Sequence, residues 1–347
     1  MKLCLRFLLG VGALLLLLPS ALAHAQSQAA AGYHLVQKIT VGGEGGWDYL
    51  TVDAQARRIY VARATHVMVL DEDSGQVVGD IPGTAGVHGV ALVPELHKGF
   101  TSNGRDNSVT IFDLATLKVL KKVAVGQNPD AIIYDGAAQR VFTMNGASRD
   151  TTALDPKSET VVGTIALDGR PESAATDGQG HLYINLEDKS QVAVVDSRKL
   201  AVLNRWALAP GAEPTGMAMD RKHKRLFIGC ANKLLVVLNS DNGRVVTTLP
   251  IGAGVDATGF DAETGLAFSS NGEGTLTVVH EDTPDKFSVV TNVNTQRGAR
   301  TMTLDPKTHR VFLVSADFGP PPAPTPERPR PRPSVLPGTF ALLVVGK

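Results

Sequence analysis

Ionisable residues recur at one kind of place in this sequence: after a Gly- or Pro-containing turn, at the entry to an apolar run. Trp47 with Asp48, His88, Asp130, Glu172, Asp256, and Arg297 with Arg300 all stand there. Asn103 and Asn271, each in an Asn-Gly pair, come from loops between neighbouring runs. Four carboxylates, a histidine and two arginines drawn to one concave mouth would make a ligand-binding site. Asp48, Glu172 and Asp256 with His88 suit a divalent cation, since hard cations take oxygen ligands. The same set could serve a metal-dependent, lactonase-like hydrolase, with His88 or a carboxylate as base for a metal-bound water. These residues lie in separate segments with no sequence-local metal motif. The set exists only if the fold gathers it.

What could gather it is a repeat. An aromatic residue in an apolar strand after a polar turn recurs as Tyr60, Phe100, Phe142, Tyr183, Phe227, Phe268 and Phe312, in steps of 40, 42, 41, 44, 41 and 44. Arg58, Arg140, Arg225 and Arg310 stand two residues before four of them. A second series, Asp71, Asp113, Asp155, Asp196, Asn239 and Glu281, ends an apolar alternation with nearly the same period. Two series with one period define units of roughly 42 residues, the range of propeller blades.

Each unit divides into four short strands bounded by Gly, Asn, Asp and Pro. In the second they are Gly89 to Val93, Gly99 to Asn103, Val109 to Asp113 and Val119 to Val125. Apolar runs of this length fit strands buried on both faces. The predicted fold is an all-β, seven-bladed β-propeller. After Phe312 only one further strand, Phe340 to Val345, remains, so the last blade lacks its outermost strand. Tyr33 to Val41 is an orphan strand at the other end. Pairing the two would close the ring and remove its open edge.

Phe100-Thr101-Ser102-Asn103 followed by the Val109 to Asp113 run resembles the YVTN repeat, and Phe142-Thr143-Met144-Asn145 and Tyr183-Ile184-Asn185 are looser versions. The chain is similar to the exported YVTN-repeat (YncE-like) propellers over all seven units. That resemblance implies the fold. It carries over no catalytic motif, because such propellers serve binding, scaffolding and enzymatic roles.

Composition narrows the function further. Residues 1–25 read as a signal peptide: Lys2 and Arg6 precede an apolar stretch, and small residues allow cleavage after Ala23 or Ala25. Residues 26–347 then form the propeller, periplasmic or secreted. Their 32 basic and 34 acidic residues lack the basic excess that nonspecific nucleic-acid binding needs. The apolar stretch is short for a membrane span, so the mature chain is not expected to cross one. Cys230 would be the single mature cysteine, a small core residue rather than a nucleophile. No Cys-x-x-Cys-His occurs, which excludes covalent haem.

A closed ring needs no second copy, so a monomer is expected. Residues 319–337, with nine prolines and Arg328, Arg330 and Arg332, read as a polyproline loop inserted in blade seven, on the face of the acidic ring. It could cover the mouth as a lid. The leading expectation is a binding or scaffold propeller for a small-molecule ligand, metal ion or periplasmic protein. The rivals are the hydrolase and an accessory protein for a noncovalent redox cofactor. The opposite face, built from Asp-rich turns, reads as structural.

Overall fold

A computed structural model describes residues 32–325 and 333–347. The expected signal peptide and Arg328, Arg330 and Arg332 lie outside the described residues. Seven four-stranded antiparallel sheets form the blades, each with its strands, a to d from the axis outward, in sequence order except the last. Strands a are Leu50–Asp53, Val87–Val93, Pro129–Asp135, Pro171–Thr176, Pro214–Asp220, Val255–Asp261 and Met302–Asp305. There is no α-helix among the described residues, and no helix long and apolar enough to cross a membrane.

The ring closes as the sequence predicts. His34–Thr40 runs antiparallel to Ala341–Gly346, with His34 opposite Gly346 and Thr40 opposite Ala341. It supplies strand d to the blade begun by Met302–Asp305 and Arg310–Ser315. The N-terminal strand thus gives the last blade the same short outer edge as the other six.

All seven repeat aromatics are buried, on strand b of each blade, where they fill the space between neighbouring sheets. The basic residue two positions earlier fastens its blade to the next. Arg58 donates to the Leu114 carbonyl at 2.7 Å, Lys98 to Pro156 at 3.1 Å, Arg140 to Ser197 at 2.8 Å and Arg225 to Pro284 at 2.6 Å. Each acceptor lies at the c–d turn of the following blade. The repeat thus encodes a core plug and a charged strap between blades.

The second series needs one correction. Asp71, Asp113, Asp196 and Asn239 pair directly with Arg58, Lys98, His181 and Arg225 across strands b and c. In blade six the residue opposite Leu266 is His280, so Glu281 belongs one position further on. The long Thr275–Thr283 strand carries the alternation past its usual end and displaces the acid. Glu281 therefore corresponds to Glu72, Leu114, Ser197 and Ser240, residues that enter the joints between blades.

Candidate functional site

The entry residues of strand a face the axis because each strand is irregular there. His88, Asp130, Glu172, Thr215 and Asp256 are each the second residue of their strand, and the a–b register shifts between Val87 and Gly89, Pro129 and Ile132, Pro171 and Ala174, Pro214 and Met217, and Val255 and Ala257. A bulge re-aims the side chain beside it. The ring backbone is fixed from blade to blade. The Ser102 hydroxyl donates to the Asp130 carbonyl, Thr215 to Val255 at 2.8 Å, Ser270 to Arg300 at 2.5 Å and Thr301 to Asp48 at 2.8 Å.

Three of the predicted residues meet closely. His88 Nδ1 lies 2.6 Å from Asp48 Oδ2 and 3.6 Å from Asp130 Oδ1. One ligand atom from each of Asp48, His88 and Asp130 falls within 4.8 Å of the others. Arg300 reaches Asp256 at 2.9 Å and Asp48 at 3.6 Å. The sequence favoured Asp48, Glu172, Asp256 and His88 as a cation set. The structure substitutes Asp130, which follows His88 around the ring, for Glu172 and Asp256. Asp256 is instead engaged by Arg300.

Burial and crowding shift these groups together. Burial pushes Asp256 up to about 7, against the pull of Arg300 and with repulsion from Asp48 and Asp130 added. Burial and then repulsion from Asp130 and Asp256 raise Glu172 strongly. Asp130 is raised by burial, although the His88 charge draws it down. Burial lowers His88, but the Asp48 contact and the Asp130 and Asp48 charges outweigh it, and its imidazolium form is favoured. Tyr49, which sequence reasoning missed, sits among these acids. Its phenol is held well above its ordinary value by burial and by Asp256, Glu172, Asp130 and Asp48. The Trp47-Asp48-Tyr49 run, unlike the single polar residue entering other blades, was the available signal.

Asn103 and Asn271 do not line the mouth. Each is fully buried and staples strand b to strand c. Asn103 accepts from Thr101 at 2.8 Å and donates to Thr110 at 2.9 Å. Asn271 accepts from Ser269 at 3.2 Å and donates to Thr277 at 3.0 Å. Asn145 repeats this with Thr143 and Thr152. The Asn-Gly signal marks a turn whose asparagine satisfies buried hydroxyls. Cys230 is buried, and burial pushes its thiol up to about 12, which fits a core residue rather than a nucleophile.

Trp47, Arg297 and Arg300 line a side chamber of about 420 Å³ with Phe318, Pro333 and Val335. Phe318 and Val335, bridged to each other, root the proline-rich loop, so the described ends of that loop stand at the mouth. Beneath, the fully buried Arg63 packs its guanidinium 3.5 Å from the Phe340 ring centre and donates to the Glu44 carbonyl at 2.7 Å. Trp47 leans on the same ring, 5.5 Å between centres. Below the mouth along the axis lies a cavity of about 180 Å³, walled by Tyr49, Asp256 and apolar residues of strands a such as Ile132, Met217 and Met302.

Fold and site together define a seven-bladed β-propeller with an acidic, histidine-containing axial mouth. Among solved structures, the chain is similar to a chain of Kuenenia stuttgartiensis hydrazine synthase, with a TM-score of 0.70 and 14% identity over 79% of this chain and 94% of that one. At that identity the likeness carries the fold alone. No family model matches the chain, and no curated protein does.

Proposed function

We propose that this chain is an exported, YVTN-type binding propeller whose mouth holds a divalent cation, alone or carried by a small ligand. The carrying observation is the convergence of Asp48, His88 and Asp130 to within 4.8 Å, with Glu172 and Asp256 as further acids of the ring. Crowded, half-buried carboxylates repel one another, and a cation removes that repulsion while supplying a partner for each oxygen. A ring fixed by interblade hydroxyl-to-carbonyl bonds changes little on binding, which keeps the cost of ordering low. The 420 Å³ chamber beside it, with Trp47 and Phe318 as apolar wall and Arg297 and Arg300 as cations, suits the apolar and anionic parts of a small molecule.

Calorimetric titration of chelator-stripped protein with Mn²⁺ and Zn²⁺ tests the reading. Loss of one bound ion per chain in the paired variant His88→Ala with Asp130→Asn supports it. Equal binding by the variant and the unaltered protein overturns it.

One contact favours hydrolysis as a second reading. Asp48 against His88 Nδ1 is the pairing that orients an imidazole as general base. Turnover of simple lactones or aryl esters, lost in His88→Ala, would select it.

A further inference from the structure

We propose that the joint between blades five and six, on the face opposite the mouth, holds a first-row divalent cation bound by Asp220, His223 and Glu281. The equivalent joint between blades seven and one shows how such a pair of acids is matched. There the last residue of strand a, Asp305, faces Glu72 of the next blade, and both are buried. Arg57 closes that joint, with its guanidinium 2.8 Å from Glu72 Oε1 and 3.1 Å from Asp305 Oδ2. Two buried acids are thus matched by one permanent cation.

The joint between blades five and six repeats the acids and omits the arginine. Asp220 ends strand a as Asp305 does, and Glu281 stands where Glu72 stands. The Glu72 amide donates to the carbonyl of Arg57, and the Glu281 amide donates to the carbonyl of Gly265. Gly265 therefore occupies the place of Arg57 with no side chain. A Cβ there would make only ordinary contacts, the nearest with the His280 ring at 3.7 Å, so nothing need move.

Into that joint turns His223, whose Nδ1 lies 2.7 Å from Asp220 Oδ2 and 2.9 Å from Glu281 Oε1. Neither contact has hydrogen-bond alignment. His223 Nδ1 and both Glu281 oxygens are buried without a hydrogen-bond partner, and the Glu281 side chain is 3% exposed. One ligand atom from each of Asp220, His223 and Glu281 lies within 4.8 Å of the others. Tetrahedral ligands at about 2.0–2.1 Å from zinc would stand about 3.3 Å apart, so a small outward adjustment admits the ion.

One imidazole with two carboxylates favours zinc, cobalt or manganese over calcium or magnesium. The His223 side chain is about a third exposed and gives the ion a path from solvent. Among the basic neighbours Arg225 holds the Pro284 carbonyl and Asp285 and Lys224 holds Asp241, while Arg225 and Lys222 act on Glu281 through their charge without an ion-pair contact to it. The ion would clamp blade five to blade six as Arg57 clamps seven to one.

The test removes the mouth first, so that the two sites are read separately. Chelator-stripped protein carrying His88→Ala and Asp130→Asn is titrated with Zn²⁺ alone, and its melting temperature is followed. One Zn²⁺ per chain and a raised melting temperature are expected. Adding His223→Ala or Glu281→Gln should weaken that binding about 100-fold or more, since even outer-sphere changes at metal sites cost 10–100-fold. Gly265→Arg should abolish Zn²⁺ binding while raising the melting temperature of the metal-free protein. The backbone there has φ of 68°, the same left-handed region as the 55° at which Arg57 sits, so an arginine would bear only the strain that Arg57 already bears. No Zn²⁺ binding in the mouth variant, or unchanged binding after His223→Ala, overturns the proposal. Loss of the mouth site alone leaves it standing.

Discussion

The two ends of strand a use the same residue types to opposite effect. At the entry end, side chains meet across several blades: Asp48 with His88, His88 with Asp130, and Arg300 with both Asp256 and Asp48. At the exit end, the cross-blade contacts of Asp135, Asp261 and Asp305 reach only the neighbouring blade. Asp135 holds Ser197 at 2.5 Å, Asp261 lies 2.7 Å from His309, and Asp305 shares Arg57 with Glu72. A bulge turns the entry side chain toward the axis, where seven strands converge. Without a bulge, the exit side chain points into a joint. Convergence of many partly matched charges makes a binding site, and local closure of each pair makes a rivet.

The largest effect should come from removing a mouth ligand. His88→Ala should weaken divalent-cation binding at the mouth about 100-fold or more and leave the unfolding midpoint of metal-free protein nearly unchanged, because no core contact is lost. Calorimetry with chemical denaturation checks both. If His88→Ala unfolds the protein more easily but binds as before, the mouth is structural and the contrast between the two ends fails.

A smaller effect, of the opposite kind, is expected at an interblade strap. The Arg140 guanidinium donates to the Ser197 and Arg198 carbonyls, both at 2.8 Å. Arg140→Ala should lower stability by about 2 kcal/mol, the usual worth of a hydrogen bond to a charged group, with cation affinity untouched. Asn271→Ala should behave similarly, at about 1–2 kcal/mol, because it strands the buried Ser269 hydroxyl and takes one of two partners from Thr277. An Asn271→Ala variant that loses cation binding without losing stability would return that residue to the mouth.

The architecture was legible because the repeat fixes it twice. The aromatic on strand b recurs in all seven blades and the acid or amide at the end of strand c in five of them, so their spacing marks the seven units, the four strands and the closing strand. Site residues were legible only as a ring. Turn chemistry marks the entry position, but it does not say which neighbours touch. Asp130 replaced Glu172 and Asp256 beside His88 for a geometric reason, its place in the blade that follows His88, which spacing does not carry. Asn103 and Asn271 misled because an Asn-Gly pair looks alike whether its amide faces solvent or a buried threonine. Glu281 was placed one residue off because strand c of blade six runs longer, and that displacement hid the second group of ligands.

The smallest effect separates the joints by pH. Burial and the nearby Asp305 push Glu72 up to about 8, while Arg57 opposes them. In the unfolded chain this carboxyl titrates near its ordinary value of about 4.3. Between those values the folded protein holds a proton that the unfolded chain has released, so stability must fall as pH rises through the window. Glu72→Gln keeps the shape and the donor but cannot ionise. The melting temperature of metal-free protein should decline from pH 5 to pH 8, and in Glu72→Gln it should decline less, by a few degrees at most. The acids of the c–d turns act at the other end of the scale. Backbone and side-chain donors hold Asp113, Asp155 and Asp196 below the usual carboxylate range, so their stabilisation is present above about pH 4 and lost only as pH falls further. A Glu72→Gln protein whose melting temperature follows the same slope as the parent from pH 5 to 8 would mean that Arg57 keeps Glu72 ionised. The joint between blades seven and one would then be a plain ion pair rather than a proton-sharing one.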